Sequence, residues 1–343
     1  MSTKLTILNA ALIAAGLTAG AGVAQAGTVI YNTGSAATAT VALGVNDDGS
    51  LNTQPNITTN AGATGLAYKF ADGSWRDATA PGCLCEGWGV SVNNTTSGYA
   101  NVSSDGGPNN LTFGAATGVT GSTVTTTASL TSLPGLTVTQ AYSPANTASG
   151  VLFKDVVTIT NSTAGALTDV KYVRVMDWDV PPTEFSEYVT IKGASTTTLL
   201  EQSGDNGFNS ANPLAPYFNY DPACLSPLDC TDSGPADHGA YFRFNFGTLA
   251  AGASYTFTIF YGAAPTEAAA LAAIGSESIE LYSLGQQSGD PTGGTPATFI
   301  FGFAGVGGTP VEPPGGGVPE PASLALLGLG LAALGGLRRR KQS

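Results

Sequence analysis

The sequence predicts an all-β protein, a large antiparallel β-sandwich with one short helix, between an N-terminal signal peptide and a C-terminal transmembrane helix. Three observations predict the sheets. Apolar and polar residues alternate at period two through much of the second half, as in Ser254–Tyr261, where Tyr255, Phe257, Ile259 and Tyr261 share one face and Ser254, Thr256 and Thr258 the other. Charged residues are only 10% of the chain, while Gly numbers 46 of 343 and Thr, Ser and Asn abound, which suits pleated surfaces and turns better than helices. Turn-rich stretches such as Asn161-Ser162-Thr163-Ala164-Gly165 separate the alternating runs at the spacing of a sandwich.

The first element in chain order is a leader. Lys4 opens it, Leu5–Val23 is apolar apart from a few small polar residues, and Ala24-Gln25-Ala26 has the small-x-small pattern of a cleavage site. Residues 1–26 are therefore read as a signal peptide, with the exported protein beginning at Gly27. The body is expected over 27–304 as one domain, because sandwiches of about 200–250 residues form single cores. Within it, Gly34–Gly65 carries little alternation and is expected to be loose. Strands are expected at Gly118–Leu130, Thr137–Tyr142, Leu152–Thr160, Val170–Met176, Tyr188–Lys192, Tyr241–Phe246, Ser254–Tyr261 and Thr298–Phe303. The single internal helix starts at a Thr266 cap, places Glu267 at its positive end, runs through Ala268–Ile274 and stops at Gly275. Residues 305–317 are rich in Gly and Pro and read as an extended linker.

The tail has three ordered parts. Val318-Pro319-Glu320-Pro321 comes first; Ala322–Leu337 follows, an uncharged run of Leu, Ala and Gly with Ser323 its one polar side chain; Arg338-Arg339-Arg340-Lys341 closes it. Sixteen helical residues span roughly 24 Å, short of a bilayer core of about 30 Å, a gap that snorkelling arginines and local thinning can close. A basic cluster after the run and none before it keeps the C-terminus cytoplasmic and everything upstream outside. These residues, 318–343, resemble the PEP-CTERM sorting signal of Gram-negative bacteria. The resemblance implies that an exosortase, a membrane-embedded cysteine protease, cuts near Pro319-Glu320-Pro321. It also implies an inner-membrane-anchored precursor and a link to exopolysaccharide, with delivery to the cell surface or extracellular matrix, as in biofilm. It says little about the body.

Charge excludes one class of partner. Between residues 27 and 311 there are 22 acidic and 7 basic residues, a net charge of −15. Nucleic acid, whose phosphates need basic partners, is excluded. Divalent cations are the natural counterpart.

Four cysteines, Cys83 and Cys85 in one loop and Cys224 and Cys230 in another, are an even set in an exported chain, so disulfides are expected. A bond between the two loops is favoured, since a Cys-x-Cys bridge is tight. A zinc site is the alternative, but Cys-x-Cys with Cys-x5-Cys is not the usual ligand spacing.

The sharpest cluster in the body is Asp177-Trp178-Asp179 ahead of Pro181-Pro182, with Glu184 and Glu187 close behind. On a continuing strand the two aspartates project from one face, about 6.6 Å apart at Cα. They suit Ca²⁺ ligation, or a glycosidase pair with Trp178 as a sugar platform. The plainer reading ends the strand at the prolines and lets Trp178 cover the core. His238, the only histidine, cannot make a metal site of several histidines, and no nucleophile elbow accompanies it. Asp237-His238, Asp205-Asn206-Gly207 and Asp47-Asp48-Gly49 are read as loop and turn elements. Tyr217-Phe218-Asn219-Tyr220, Trp75 and Trp88 would form a sugar surface if exposed and core if buried. With no complete catalytic set, the expectation is a non-enzymatic structural or adhesive protein needing no cofactor beyond a possible Ca²⁺. A carbohydrate-binding module, or a glycoside hydrolase using Asp177, Asp179 or Glu184, is the alternative.

Overall fold

Period two along a single strand decides which side chains this fold buries between its sheets and which it turns toward the candidate site. The structure, a computed structural model, describes residues 27–146 and 150–311. The expected signal peptide with Ala24 and Ala26, and the tail with its sorting motif and the expected transmembrane helix, lie outside the described residues.

The chain begins with β1 (Gly27–Tyr31), β2 (Val41–Asn46), β3 (Leu66–Lys69) and β4 (Trp75–Asp77), a four-stranded sheet in chain order. There follow β5 (Gly87–Val92), β6 (Thr96–Asn101), α1 (Val102–Asp105), β7 (Leu111–Phe113), β8 (Val124–Leu130), β9 (Leu133–Pro144) and β10 (Leu152–Asn161). Next come β11 (Lys171–Trp178), β12 (Glu187–Lys192), β13 (Leu200–Gly204), β14 (Cys230–Ala236) and β15 (His238–Asn245). The last are β16 (Ser254–Ala264), α2 (Glu267–Ser276), β17 (Leu281–Gln287) and β18 (Thr298–Ala304). One large sheet has nine strands in the order β14-β12-β17-β18-β16-β10-β9-β8-β7, the other five in the order β13-β15-β11-β5-β6, and all pairings are antiparallel.

The two large sheets pack face to face, as expected of a sandwich. On β11, Tyr172, Arg174, Met176 and Trp178 face the nine-stranded sheet: Tyr172 meets Phe257 edge-on at 5.0 Å, and Trp178 meets Phe299 at 6.4 Å. Phe242 of β15 wedges against Phe301 and Phe303 at 5.5 and 5.1 Å. Each fully buried Phe contributes about 1.5–3 kcal/mol of apolar transfer. The alternate residues Val173 and Val175 turn outward, where Ala211, Tyr217 and Tyr241 cover them.

A polar cluster sits inside this core. Arg174 is fully buried and pairs with buried Glu86, while its Nη1 donates to Gln140 Oε1 at 2.6 Å and its Nη2 to the Gly49 carbonyl at 3.1 Å. The Gly49 carbonyl also accepts from Tyr142, and the Asp48 carbonyl from Trp88 Nε1. The turn at 47–49 thus plugs the sandwich. Gly49 has φ +86°, and a Cβ there would meet Gln140 Nε2 at 2.1 Å, so both conformation and space require glycine.

Three expectations change on contact with the structure. Gly34–Gly65 is not loose: all six residues of β2 are buried. Its small side chains allow close packing, and a Cβ on Gly44 would lie 2.0 Å from the Thr64 carbonyl. The strand expected at Gly118–Leu130 starts only at Val124, because Gly118 (φ +59°) and the Thr120–Thr123 hydroxyl pair make a turn first. The helix α2 keeps its Thr266 cap, whose hydroxyl accepts from the Ala269 N–H, but runs through Gly275 to Ser276 and seats Ala270, Leu271, Ala273 and Ile274 on the outer face of the nine-stranded sheet.

The cross-loop disulfide is also corrected. Cys83 bonds Cys85 and Cys224 bonds Cys230, with Cα separations of 5.3 and 4.9 Å. Each cysteine already has a partner at bridging distance inside its own loop. No thiol is left free among the described residues, which removes the zinc alternative. Residues 305–311, assigned to the linker by composition, lie against the body. Val306 is buried, Glu280 accepts from the Gly305, Val306 and Gly308 N–H groups, and the Val311 N–H reaches the Ile279 carbonyl.

Candidate functional site

The outward parity of β11 continues from Val173 and Val175 to Asp177, and Asp179 follows just past the strand end. Trp178, between them, points the other way: it is fully buried, donates Nε1–H to Ser283 Oγ at 3.1 Å and offers no face to a sugar. The backbone crosses very close above Asp177. A Cβ on Gly239 would meet the Met176 carbonyl at 2.0 Å, and one on Gly207 would meet Asp177 Cα at 2.6 Å, so only glycine fits at these crossings.

Two further acids join from other strands. Glu187 opens β12 in the nine-stranded sheet, where Glu187, Val189 and Ile191 share a buried face. Asp237 is the single residue between β14 and β15, the corner where the chain passes from the nine-stranded to the five-stranded sheet. One carboxylate oxygen from each of Asp177, Asp179 and Asp237 falls within 4.8 Å of the others. Asp237 is exposed, whereas Asp179 and Glu187 are 0% and Asp177 is 2% exposed.

These acids are poorly satisfied. Both Asp179 oxygens, Asp177 Oδ1 and Glu187 Oε2 are buried without a hydrogen-bond partner. Glu187 Oε1 does accept the His238 backbone N–H at 3.0 Å. None of the ion pairs among the described residues involves Asp177, Asp179, Glu187 or Asp237. Burial, reinforced by the charges of Asp237 and Glu187, holds the Asp177 carboxyl well above the usual carboxylate range. Burial and the Asp177 charge push Asp179 up to about 9, and burial pushes Glu187 to about 9.

Cys83 Sγ lies 3.3 Å from Asp177 Oδ2. A disulfide sulfur carries no proton, so any hydrogen in this contact belongs to the carboxyl. Although Cys83, Cys85 and Asp177 also cluster, bridged sulfurs are not thiolate ligands, and the donors here are oxygens.

The rest of the neighbourhood orients this cluster. His238 is buried, with Nδ1 3.4 Å from Asp205 Oδ2 and Nε2 3.2 Å from the Glu187 carbonyl. Asp205 also accepts the Tyr220 and Asp221 N–H groups, which fixes the loop after β13. On that loop Tyr217 packs on Tyr241, while Phe218 and Tyr220 point outward, 68% and 53% exposed. Burial raises the Tyr220 phenol, and so do the charges of Asp177, Asp237 and Asp205. Glu184, half-buried, accepts from Asn60 Nδ2 at 2.8 Å, and its charge also acts on Asp179. Trp88 is core and Trp75 is half-buried against Tyr31. Behind the Cys83 loop lies an open cleft of about 510 Å³, lined by Asn52, Gln54, Gly82, Leu84 and Ser103 among others and by no carboxylate.

The structure therefore brings together Asp177 and Asp179 with Glu187, which follows them closely in the sequence, and with Asp237, which the sequence placed in a loop. A signal for Glu187 was present: it occupies an inward position on a strand whose other inward residues are apolar. Asp237 carried none, since only the corner between two sheets brings it near β11.

A family model for the PEP-CTERM protein-sorting motif matches residues 317–341, which include Val318, Pro319, Glu320, Pro321 and Arg338, Arg339 and Arg340. No curated protein matches the chain.

Proposed function

We propose that this PEP-CTERM protein is a structural or adhesive component of a polysaccharide-rich surface or matrix, released there by an exosortase. The motif at 317–341 implies recognition by an exosortase and export with a membrane-anchored sorting signal. The observation that carries the step to a structural role is the closure of the body's acid cluster: Asp177, Asp179 and Glu187 are 2% exposed or less, out of reach of a polymeric substrate. A glycosidase needs its two carboxylates open on either side of a sugar ring, so Asp177 and Asp179 are set aside as catalysts.

A second reading, direct carbohydrate binding, is favoured by Phe218 and Tyr220. Large exposed aromatics can stack on the apolar faces of sugars. The test is co-sedimentation of the mature protein with matrix polysaccharide from its own host. Retention of the wild type supports the structural reading, and loss of about tenfold in affinity in a Phe218→Ala, Tyr220→Ala variant supports direct stacking. A protein that stays in the supernatant at every polysaccharide concentration contradicts both.

A further inference from the structure

The geometry points to a divalent-cation site of the Ca²⁺ class formed by Asp177, Asp179 and Asp237, with Glu187 beside them. Clustered acids alone would not establish it, since acidic surfaces are common. Here the second observation is the state of the carboxylates: Asp179 is fully buried with neither oxygen partnered, and its oxygen lies within 4.8 Å of those of Asp177 and Asp237. Buried polar atoms are nearly always satisfied, and an orphaned pair on one side chain calls for a partner.

The chemistry of the donors selects the partner. Oxygens on a common cation at about 2.3–2.6 Å from the metal stand at most about 5 Å apart across it, and the three oxygens, all within 4.8 Å of one another, fit inside that span. The set is all carboxylate oxygen, hard donors that favour Ca²⁺, Mg²⁺ or Mn²⁺ over softer metals. No arginine or lysine pairs with these acids among the described residues, so no cation of the body occupies the place. Exposed Asp237 gives access from solvent.

Such an ion would tie together the end of β11 in the five-stranded sheet and the β14–β15 corner, with β12 of the nine-stranded sheet alongside. It would lock one end of the sandwich beneath the loop bearing Phe218 and Tyr220. The inference does not depend on polysaccharide contact.

The test uses the mature full-length protein recovered from its host, stripped with chelator and titrated with Ca²⁺ by calorimetry and by thermal unfolding. The expected result is one Ca²⁺ per chain with Kd of about 10⁻⁴ to 10⁻³ M, as for extracellular modules, and a Tm rise of roughly 4–8 °C at a hundredfold excess over Kd. Asp237→Asn, an exposed change that leaves the fold intact, is expected to weaken binding at least tenfold, as is Asp179→Asn. Glu201→Gln, remote from the cluster, should leave Kd unchanged. Absence of both heat and Tm shift with Ca²⁺, Mg²⁺ and Mn²⁺ overturns the site. Wild-type affinity in Asp237→Asn does so as well, even if Asp179→Asn fails to fold.

Discussion

Asp77 and Asp179 are both fully buried, yet Asp77 accepts four hydrogen bonds and Asp179 none. Asp77 takes the Gly65 N–H at 2.7 Å, the Thr79 N–H at 2.8 Å, the Ala80 N–H at 2.9 Å and the Thr79 hydroxyl at 3.1 Å. It is a structural carboxylate, whereas Asp179 is a carboxylate waiting for a ligand. Asp77→Ala should therefore cost at least about 3 kcal/mol, because it strands several buried donors. Asp179→Asn, in chelator, should cost less than about 1 kcal/mol or stabilise. Urea unfolding of the two variants in chelator checks the contrast, and equal losses would deny it.

The buried Arg174–Glu86 pair makes a second prediction. Glu86 also accepts the Leu51 N–H at 2.6 Å, so it joins the plug at 47–51 to the sheet core. Removing one partner leaves an unpaired buried charge, and Glu86→Gln should lose about 3–5 kcal/mol. Replacing both residues with apolar side chains of similar volume should lose less than Glu86→Gln alone. Urea midpoints with matched slopes test this, and additive losses would show that the two groups do not act as a pair.

Asp155 gives the body a pH dependence. Its fully buried carboxyl is pushed by burial to about 7, against an ordinary 3.8, although Arg174 draws it back down; Tyr142 and Glu86 face it too. The folded state keeps the proton where the unfolded chain releases it. The stability contributed by the neutral form is thus complete below about pH 4 and is lost as pH rises to about 7. Asp155→Asn should gain on the wild type across that interval, by on the order of 2–4 kcal/mol. Unfolding curves at pH 4 and pH 7 measure the gain, and parallel profiles for the two proteins would refute it.

Local disulfides have a plain signature. Trypsin cuts after Arg76 and Lys154 and after Lys192 and Arg243, so Cys83 and Cys85 share one peptide and Cys224 and Cys230 another. Without reductant the two peptides should run separately, each lighter by two hydrogens; a joined pair would mean that the loops are stapled to each other. Small loops also imply small entropic gains. Chain-entropy reasoning gives about 1.5–2.5 kcal/mol for bridges spanning 2 and 6 residues, against about 5 for a bond joining the two loops.

Strands were legible in the sequence wherever one face was apolar and the other wet, as in β9, β10 and β16. They were not legible in β2, where Ala42 and Gly44 pack by being small and leave no alternation to read. At the site, parity placed Asp177 and Asp179 on one face, and the same parity sends Trp178 into the core. The contribution of Asp237 depends on how the nine- and five-stranded sheets meet, a long-range relationship that local pattern does not encode. The pairing of the cysteines was missed for a related reason: it depends on how each loop folds back on itself.

On the proposed function, the tail delivers the folded body to a polysaccharide-rich exterior. The most direct measurement is the intact mass and location of the protein in cultures of its own host, with and without the exosortase. In the parent strain the account predicts a matrix-associated protein that has lost the hydrophobic segment 322–337 and the basic end, and in the deletion strain an uncut precursor in the membrane fraction. Identical processing and identical location in the two strains would contradict it.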